Sequence, residues 1–459
     1  MADDGMPPLE RVVEDMSRGI ERAQVHDVEV STRVIRRGLA RFANNVIGQH
    51  QETIETETTV RVLEQGRVAL ASTSHLGADA IARAILQAKE ACALLPPIDG
   101  YPGFGAPGAG IGQTPRPAAA TLAATPATRT EMIAAAFHRA AAEAMVLSGT
   151  VDTTTVGAAV VTTAGRRAMG LVAHAGVRVF ALTADGASGY AGQFDRDVAA
   201  LDAERAVTIA MDRCRRSRDP MTLEPGEYDV VLEPPAVAEL IEWLSIASFS
   251  AREVEQGTSL LAGRAGERVT GEQITIDDDP ALSVAHGVGL PFDREGTPAS
   301  RVSLIERGRA GGPVLDRLHA ARVGKESTGH AFMSEGEIVP TAQALHLHVG
   351  TTPPDELVRG LERGIHVSRF HYVNGLLDTR RAVMTGMTRD GTFWVENGKP
   401  VRAIRNMRFT DSILDAFARA DAIGDRLEAV PPWWSDQAAI FVPAMRIRGL
   451  RFTGRADAS

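Results

Sequence analysis

His346 and His348 are separated by a single residue inside the period-two stretch from Ala344 to Val349. On a strand that spacing puts both imidazoles on one face. Two same-face histidines with a third nearby, His366 or His371, can hold zinc or copper; the plainer expectation is polar pairing at a sheet surface. Asp277-Asp278-Asp279-Pro280 offers oxygens to a hard cation but lacks the spaced glycine and terminal glutamate of a calcium loop, so a solvated turn is expected. Gly103, Gly105 and Gly108 spell a dinucleotide-type pattern. Pro102 and Pro107 interrupt it, and neither a preceding strand nor a following helix is predicted, so no nucleotide site is expected. Ser188, in Gly-Ala-Ser-Gly-Tyr, fails the spacing of a nucleophile elbow, and a Ser-His-Asp set is a matter of geometry that sequence order does not assign. Cys92 and Cys214 lie far apart in helix-like stretches. They form neither a disulfide framework nor a paired-cysteine metal site, and they suit a reducing cytosol.

These residues must be positioned by a chain of 459 residues, long enough for two or three domains with full cores. A formal charge of −9 argues against a general nucleic-acid or anionic-membrane surface. No run of 18 apolar residues and no apolar leader follow the acidic start, so neither secretion nor membrane spanning is expected, and the cytoplasm is the expected location. The apolar spacing of Leu9, Val12, Val13, Met16 and Ile20 predicts an opening helix. Val28 to Ile35, Ala40 to Gln49 and Glu52 to Leu63 are rich in β-formers, and Glu64-Gln65-Gly66-Arg67 turns into Val68 to Ser72, which together predict an antiparallel meander. A helix follows over Gly77 to Leu94. The Pro-, Gly- and Ala-rich segment 96–128 reads as a long surface loop. Helices are predicted from Thr130 through Leu147 and over Ala203 to Cys214, with strands at Thr154 to Thr163 and Val172 to Leu182. The fold class expected is α+β, with an N-terminal α/β domain over 1–220 and a C-terminal, mostly antiparallel β domain over 221–459, barrel or sandwich-like and opened by one helix.

That helix follows a short strand, Tyr228 to Leu232. Pro234 and Pro235 suit its first turn, and Val237, Leu240, Ile241, Leu244 and Ala247 repeat at helical spacing. Four further blocks complete the pattern. They are GLARFANNVIGQH (Gly38 to His50); Leu290 to Phe332, with Asp293, Glu295, Gly296, Thr297 and Pro298 and then Ser327, Thr328 and Gly329; FWVENGKPV (Phe393 to Val401), whose Asn397-Gly398 suits a type I′ hairpin; and AMRIRGLRFTG (Ala444 to Gly454). In this order they resemble the TldD/PmbA family, also called modulator of DNA gyrase, over nearly the whole chain from Asp27 to Gly454.

The zinc-peptidase branch of that family carries HExxxH on the helix after the Tyr228 to Leu232 strand. There the histidines hold the metal and the glutamate is general base for the zinc-bound water. This chain has no histidine between His174 and His286. Alignment puts the histidine positions near Glu242 and Ala247 and the glutamate position near Trp243. The branch's cysteine ligand, expected in the C-terminal part, has no counterpart, since no cysteine follows Cys214. The resemblance is therefore to the PmbA (TldE) branch. It implies a chain with no catalytic residue, metal or cofactor of its own, paired with a TldD-like chain that supplies the zinc, in a complex that processes or degrades unfolded peptides. Two other classes remain open at this point: a stand-alone hydrolase using His346 and His348, and a gyrase-related interaction protein, against which the net acidity counts where direct DNA binding is concerned.

Overall fold

The computed structural model describes residues 5–105, 114–334, 336–432 and 439–455. Helix α1 (Leu9–Ala23) buries Val12, Met16, Gly19 and Ala23, one stripe at a spacing of three to four residues. It is followed by a hairpin of long strands, β1 (Val28–Ala43) and β2 (Val46–Glu64), then β3 (Arg67–Thr73) and α2 (Ala78–Cys92). The β-former pattern divides β1 after Ile35 and runs the next strand through residues 44 and 45. Asn44 and Asn45 are in fact the turn, with φ of 53° and 58°, the two positive values a type I′ hairpin needs. Asn45 then clamps the turn to the neighbouring strand: its amide donates to the Met145 carbonyl and its Oδ1 accepts from the Leu147 N–H. Gln65 and Gly66 form the second hairpin turn as expected, with φ of 52° and 75°.

Within the segment read as a loop, α3 (Ala119–Leu122) is a single turn, and α4 (Pro126–Ala142) begins before its predicted start. Thr125 and Thr128 form a reciprocal cap with Pro126 at the first helical position. The helix therefore ends early, and Leu147 belongs to β4 (Val146–Thr162). Next come β5 (Arg167–Leu182), β6 (Ser188–Asp195) and α5 (Ala203–Arg216). Ser188 opens β6 opposite Leu182. Gly103 and Gly105 sit in irregular structure, while Gly108 lies outside the described residues. The six strands form one antiparallel sheet in the order β3-β2-β1-β4-β5-β6. Gly38, in the first of the family-like blocks, is set by close packing: a Cβ there would run into the guanidinium of Arg129, a fully buried side chain of α4. Cys92 and Cys214 are buried free thiols on α2 and α5.

Strand β7 (Gly226–Leu232) starts a second system. It pairs with the Met445–Arg455 strand, which pairs with Met407–Ser412, then Val383–Glu396, then Arg363–Asp378, and the last returns to β7. This ring of pairings is a closed barrel, antiparallel except where β7 meets Arg363–Asp378. Asn397 and Gly398, with φ of 49° and 71°, make the expected hairpin into Lys399–Ala403. Helix α6 (Pro234–Ser248) lies against the barrel with 12 of its 15 residues buried. Its Leu240, Ile241 and Leu244 share one core cluster with Phe370, Met384 and Phe409. A further mixed sheet runs in the order Arg309–Ala310, Val302–Glu306, Ile276–Asp278, Leu345–Leu347, Ile440–Val442, Glu428–Val430. The class is thus α+β with antiparallel sheets predominating. No helix among the described residues is long and apolar enough to cross a membrane.

Candidate functional site

Helix α6 is held at its start by Glu233, whose carboxylate accepts two 2.6 Å bonds from Arg213 of α5 and lies 3.1 Å from His366 Nε2. Burial would raise the pKa of Glu233, but Arg213 and His366 override it and hold it at about 2. Downstream on the helix, Glu242 is 5% and Ala247 4% exposed. Trp243 is partly buried over the Gly375 backbone. The three positions aligned with the zinc motif therefore carry a buried acid, an indole and a methyl group, all packed.

Sequence reading passed over Glu239, one turn before Trp243. Burial pushes its carboxyl up to about 7 from 4.5, against the opposing pull of Arg369 and the Val373 amide. The folded state therefore keeps a proton that the unfolded chain releases near pH 4.5. This group's contribution is fully present below that pH and is lost as pH rises through about 7. Glu239→Gln should leave stability near pH 5 almost unchanged and raise it near pH 8 by up to about 3 kcal/mol. Urea unfolding of both proteins at the two pH values checks this.

The aspartate run is not a solvated turn. Asp277 and Asp278 are fully buried in the Ile276–Asp278 strand, and Asp279 caps the helix Pro280–Ala285. Asp278 bonds His330 Nε2 at 2.8 Å and the Ala344 N–H at 2.9 Å. In the antiparallel pairing with Leu345–Leu347, His346 stands opposite Asp277. The His346 and His348 rings stack at 4.5 Å with an interplanar angle of 20°. Burial, and then the neighbouring His348, push the His346 pKa down. His348 Nε2 lies 2.5 Å from Asp277 Oδ2, so the expected polar pairing is present. The third member of the group is Asp277. His366 is engaged with Glu233, and His371 packs on Tyr372.

The blocks around residue 295 have another role. Arg61 of β2 faces its cross-strand partner Glu29 of β1, with Nη2 at 2.5 Å from Glu29 and 2.8 Å from Glu295; the three side chains are 7%, 2% and 2% exposed. Glu295 also accepts from the Arg317 N–H, and Arg317 donates to the Gly103 carbonyl. Burial raises the Glu29 carboxyl despite Arg61. Burial, reinforced by Glu295, pushes Asp293 up to about 7 although three backbone amides oppose it. This junction fastens the β1–β6 sheet to the later chain and borders a cavity of about 640 Å³ lined also by Tyr101, Asp316, His319 and residues 68–70 of β3.

Residues 225–454 match the PmbA/TldA metallopeptidase C-terminal domain, and residues 28–92 match PmbA/TldA metallopeptidase domain 1. A metalloprotease of Methanothermobacter thermautotrophicus is 25% identical over 43% of this chain and 43% of its own length. The metalloprotease TldD homolog of Buchnera aphidicola is 27% identical over 38% of this chain and 35% of its own. The match thus spans less than half of either relative. The crystal structure of TldE from Thermococcus kodakarensis superposes with a TM-score of 0.85 over 96% of this chain and 100% of that one, at 20% identity, which is a likeness of fold. The two matched domains together take in most of the sequence, from the β1–β2 hairpin to the barrel's closing strand, and on that basis the chain belongs to the PmbA/TldD metallopeptidase family.

Proposed function

We propose that this chain is the TldE-like member of a two-chain cytoplasmic peptidase, a structural and substrate-guiding subunit whose TldD-like partner holds the zinc and cleaves unfolded peptides. The observation that carries this reading is α6. The helix is present over Pro234–Ser248, while the resemblance puts the two histidines near Glu242 and Ala247 and the general base near Trp243. No cysteine follows Cys214 to supply the remaining ligand. Guidance needs no metal, because an extended peptide adds to an exposed strand edge through main-chain hydrogen bonds with little sequence preference. Strand β3 is an edge of its sheet, and its consecutive residues Val68, Ala69 and Leu70 line the large cavity, which makes that edge the docking place we favour.

Co-expression with the TldD-like chain of the same genome is expected to give a stable heteromer burying at least about 1,000 Å². Size-exclusion chromatography with light scattering, followed by peptide cleavage by each chain and by the mixture, tests it. Cleavage should belong to the mixture and disappear when only the partner's motif glutamate is changed. Glu242→His with Ala247→His in this chain should not rescue that partner, since Trp243 occupies the base position and the cysteine is missing. Two non-associating species, with all cleavage in this chain, would sink the proposal.

A further inference from the structure

Asp277, His346 and His348 each place one donor atom within 4.8 Å of the other two. Strand pairing fixes this arrangement. His346 and Asp277 are directly opposed, so their side chains leave the sheet on one face, and His348 leaves on that face two residues on. Leu345 and Leu347 are buried on the other face.

Polar pairing does not account for all of the available atoms. Asp277 Oδ2 accepts from Arg301 at 2.5 and 3.1 Å and pairs with His348. Asp277 Oδ1, on a side chain 1% exposed, is buried with no hydrogen-bond partner among the described residues, and so is His346 Nδ1. A buried polar atom left bare costs about 1–3 kcal/mol, so two in one cluster point to a missing occupant. Two imidazole nitrogens and one carboxylate oxygen suit zinc and its late first-row neighbours. Magnesium and calcium demand six or more oxygens.

We infer that Asp277, His346 and His348 form a binding site for a divalent ion of the zinc class, separate from the motif position on α6, with its remaining coordination position open to solvent. His348 is 38% exposed, which gives the ion a way in. Zinc–ligand bonds of about 2.0–2.2 Å put tetrahedral donors about 3.3–3.6 Å apart, inside the 4.8 Å that the three donor atoms already span. Arg301, 55% exposed, can remain on Oδ2 and orient the carboxylate while Oδ1 ligates, the outer support metal sites commonly use. The inference does not depend on the peptidase-subunit reading, since it concerns binding by this chain alone.

The untagged full chain, stripped with chelator, would be dialysed against Co(II) or Zn(II) and assayed by elemental analysis, and by visible absorption for cobalt. One ion per chain is expected, with the d–d bands of a four- or five-coordinate centre. His346→Ala and His348→Ala should each abolish stoichiometric uptake with unchanged far-UV circular dichroism. Because Asp277 is buried and its loss could unfold the chain, the partly exposed His348 is the deciding position, and Asp277→Asn is the shape-preserving companion, expected to weaken uptake. Uptake well short of one ion per chain in the folded wild-type protein overturns the assignment and leaves the orphaned atoms to water. So does full uptake that survives both histidine changes.

Discussion

Replacing Arg61 with alanine is expected to destabilise the protein by about 3–5 kcal/mol, the usual cost of removing one partner from a buried ion cluster. Two carboxylates, Glu29 and Glu295, share this guanidinium at 2.5 and 2.8 Å, and all three side chains are almost fully enclosed. Burial works against the charge on Arg61, yet Glu29, with Tyr101 and Glu295, holds it protonated well above its ordinary range. Burial already raises the Glu29 carboxyl, and losing Arg61 removes the main opposing pull. The folded pKa of Glu29 would then lie further above the unfolded one, so the loss should be smaller near pH 5 and grow toward pH 8. Adding Glu29→Gln and Glu295→Gln to Arg61→Met should recover much of the loss, because the penalty arises from uncompensated charge rather than from missing volume. Urea titration of the single and triple variants at both pH values measures this. Equal destabilisation at the two pH values, with no recovery in the triple variant, would show that Arg61 acts through packing alone.

The same cluster shows where sequence reading stopped. Hairpin turns with Asn or Gly in positive-φ positions were legible at residues 65–66 and 397–398, because turn chemistry is local. The equivalent signal at Asn44-Asn45 was overridden by the β-forming residues on either side. Glu29 and Arg61 look like the solvent half of alternating strands; Glu295, more than 200 positions away, and the Phe104 ring close over them. Asp277 and Asp278 misled in the same way, since three aspartates before a proline read as a turn until the sheet closes around them. A barrel was one of the two forms expected for the C-terminal domain, but the pairing that closes it was not legible. Closure depends on Arg363–Asp378 pairing with both Val383–Glu396 and β7, and the second of these is a parallel contact across more than 130 residues. Helix α6 was read correctly because its apolar spacing is strong and prolines mark its start, but the buried acid Glu239 on it carries no signature in spacing.

Helix α6 also supplies the sharpest separation between a packed remnant and a working site. Leu240 and Leu244 are 1% and 0% exposed within the core shared with the barrel. Leu240→Ala or Leu244→Ala should therefore each cost about 2–5 kcal/mol, the transfer free energy of the lost methyls plus that of the cavity left behind. Chemical denaturation of the isolated chain reads this directly. Glu242→Gln keeps the shape and a carbonyl oxygen at the aligned motif position, so it should cost far less and leave peptide cleavage by the reconstituted heteromer unchanged. The comparison works because both changes fall on the same helix. If the position serves packing alone, activity tracks the amount of folded subunit, and the leucine variants lose it only where they unfold. If Glu242→Gln abolished cleavage while denaturation and assembly stayed at wild-type values, the acid would be doing chemistry, and the reading of this chain as the non-catalytic partner would have to be given up.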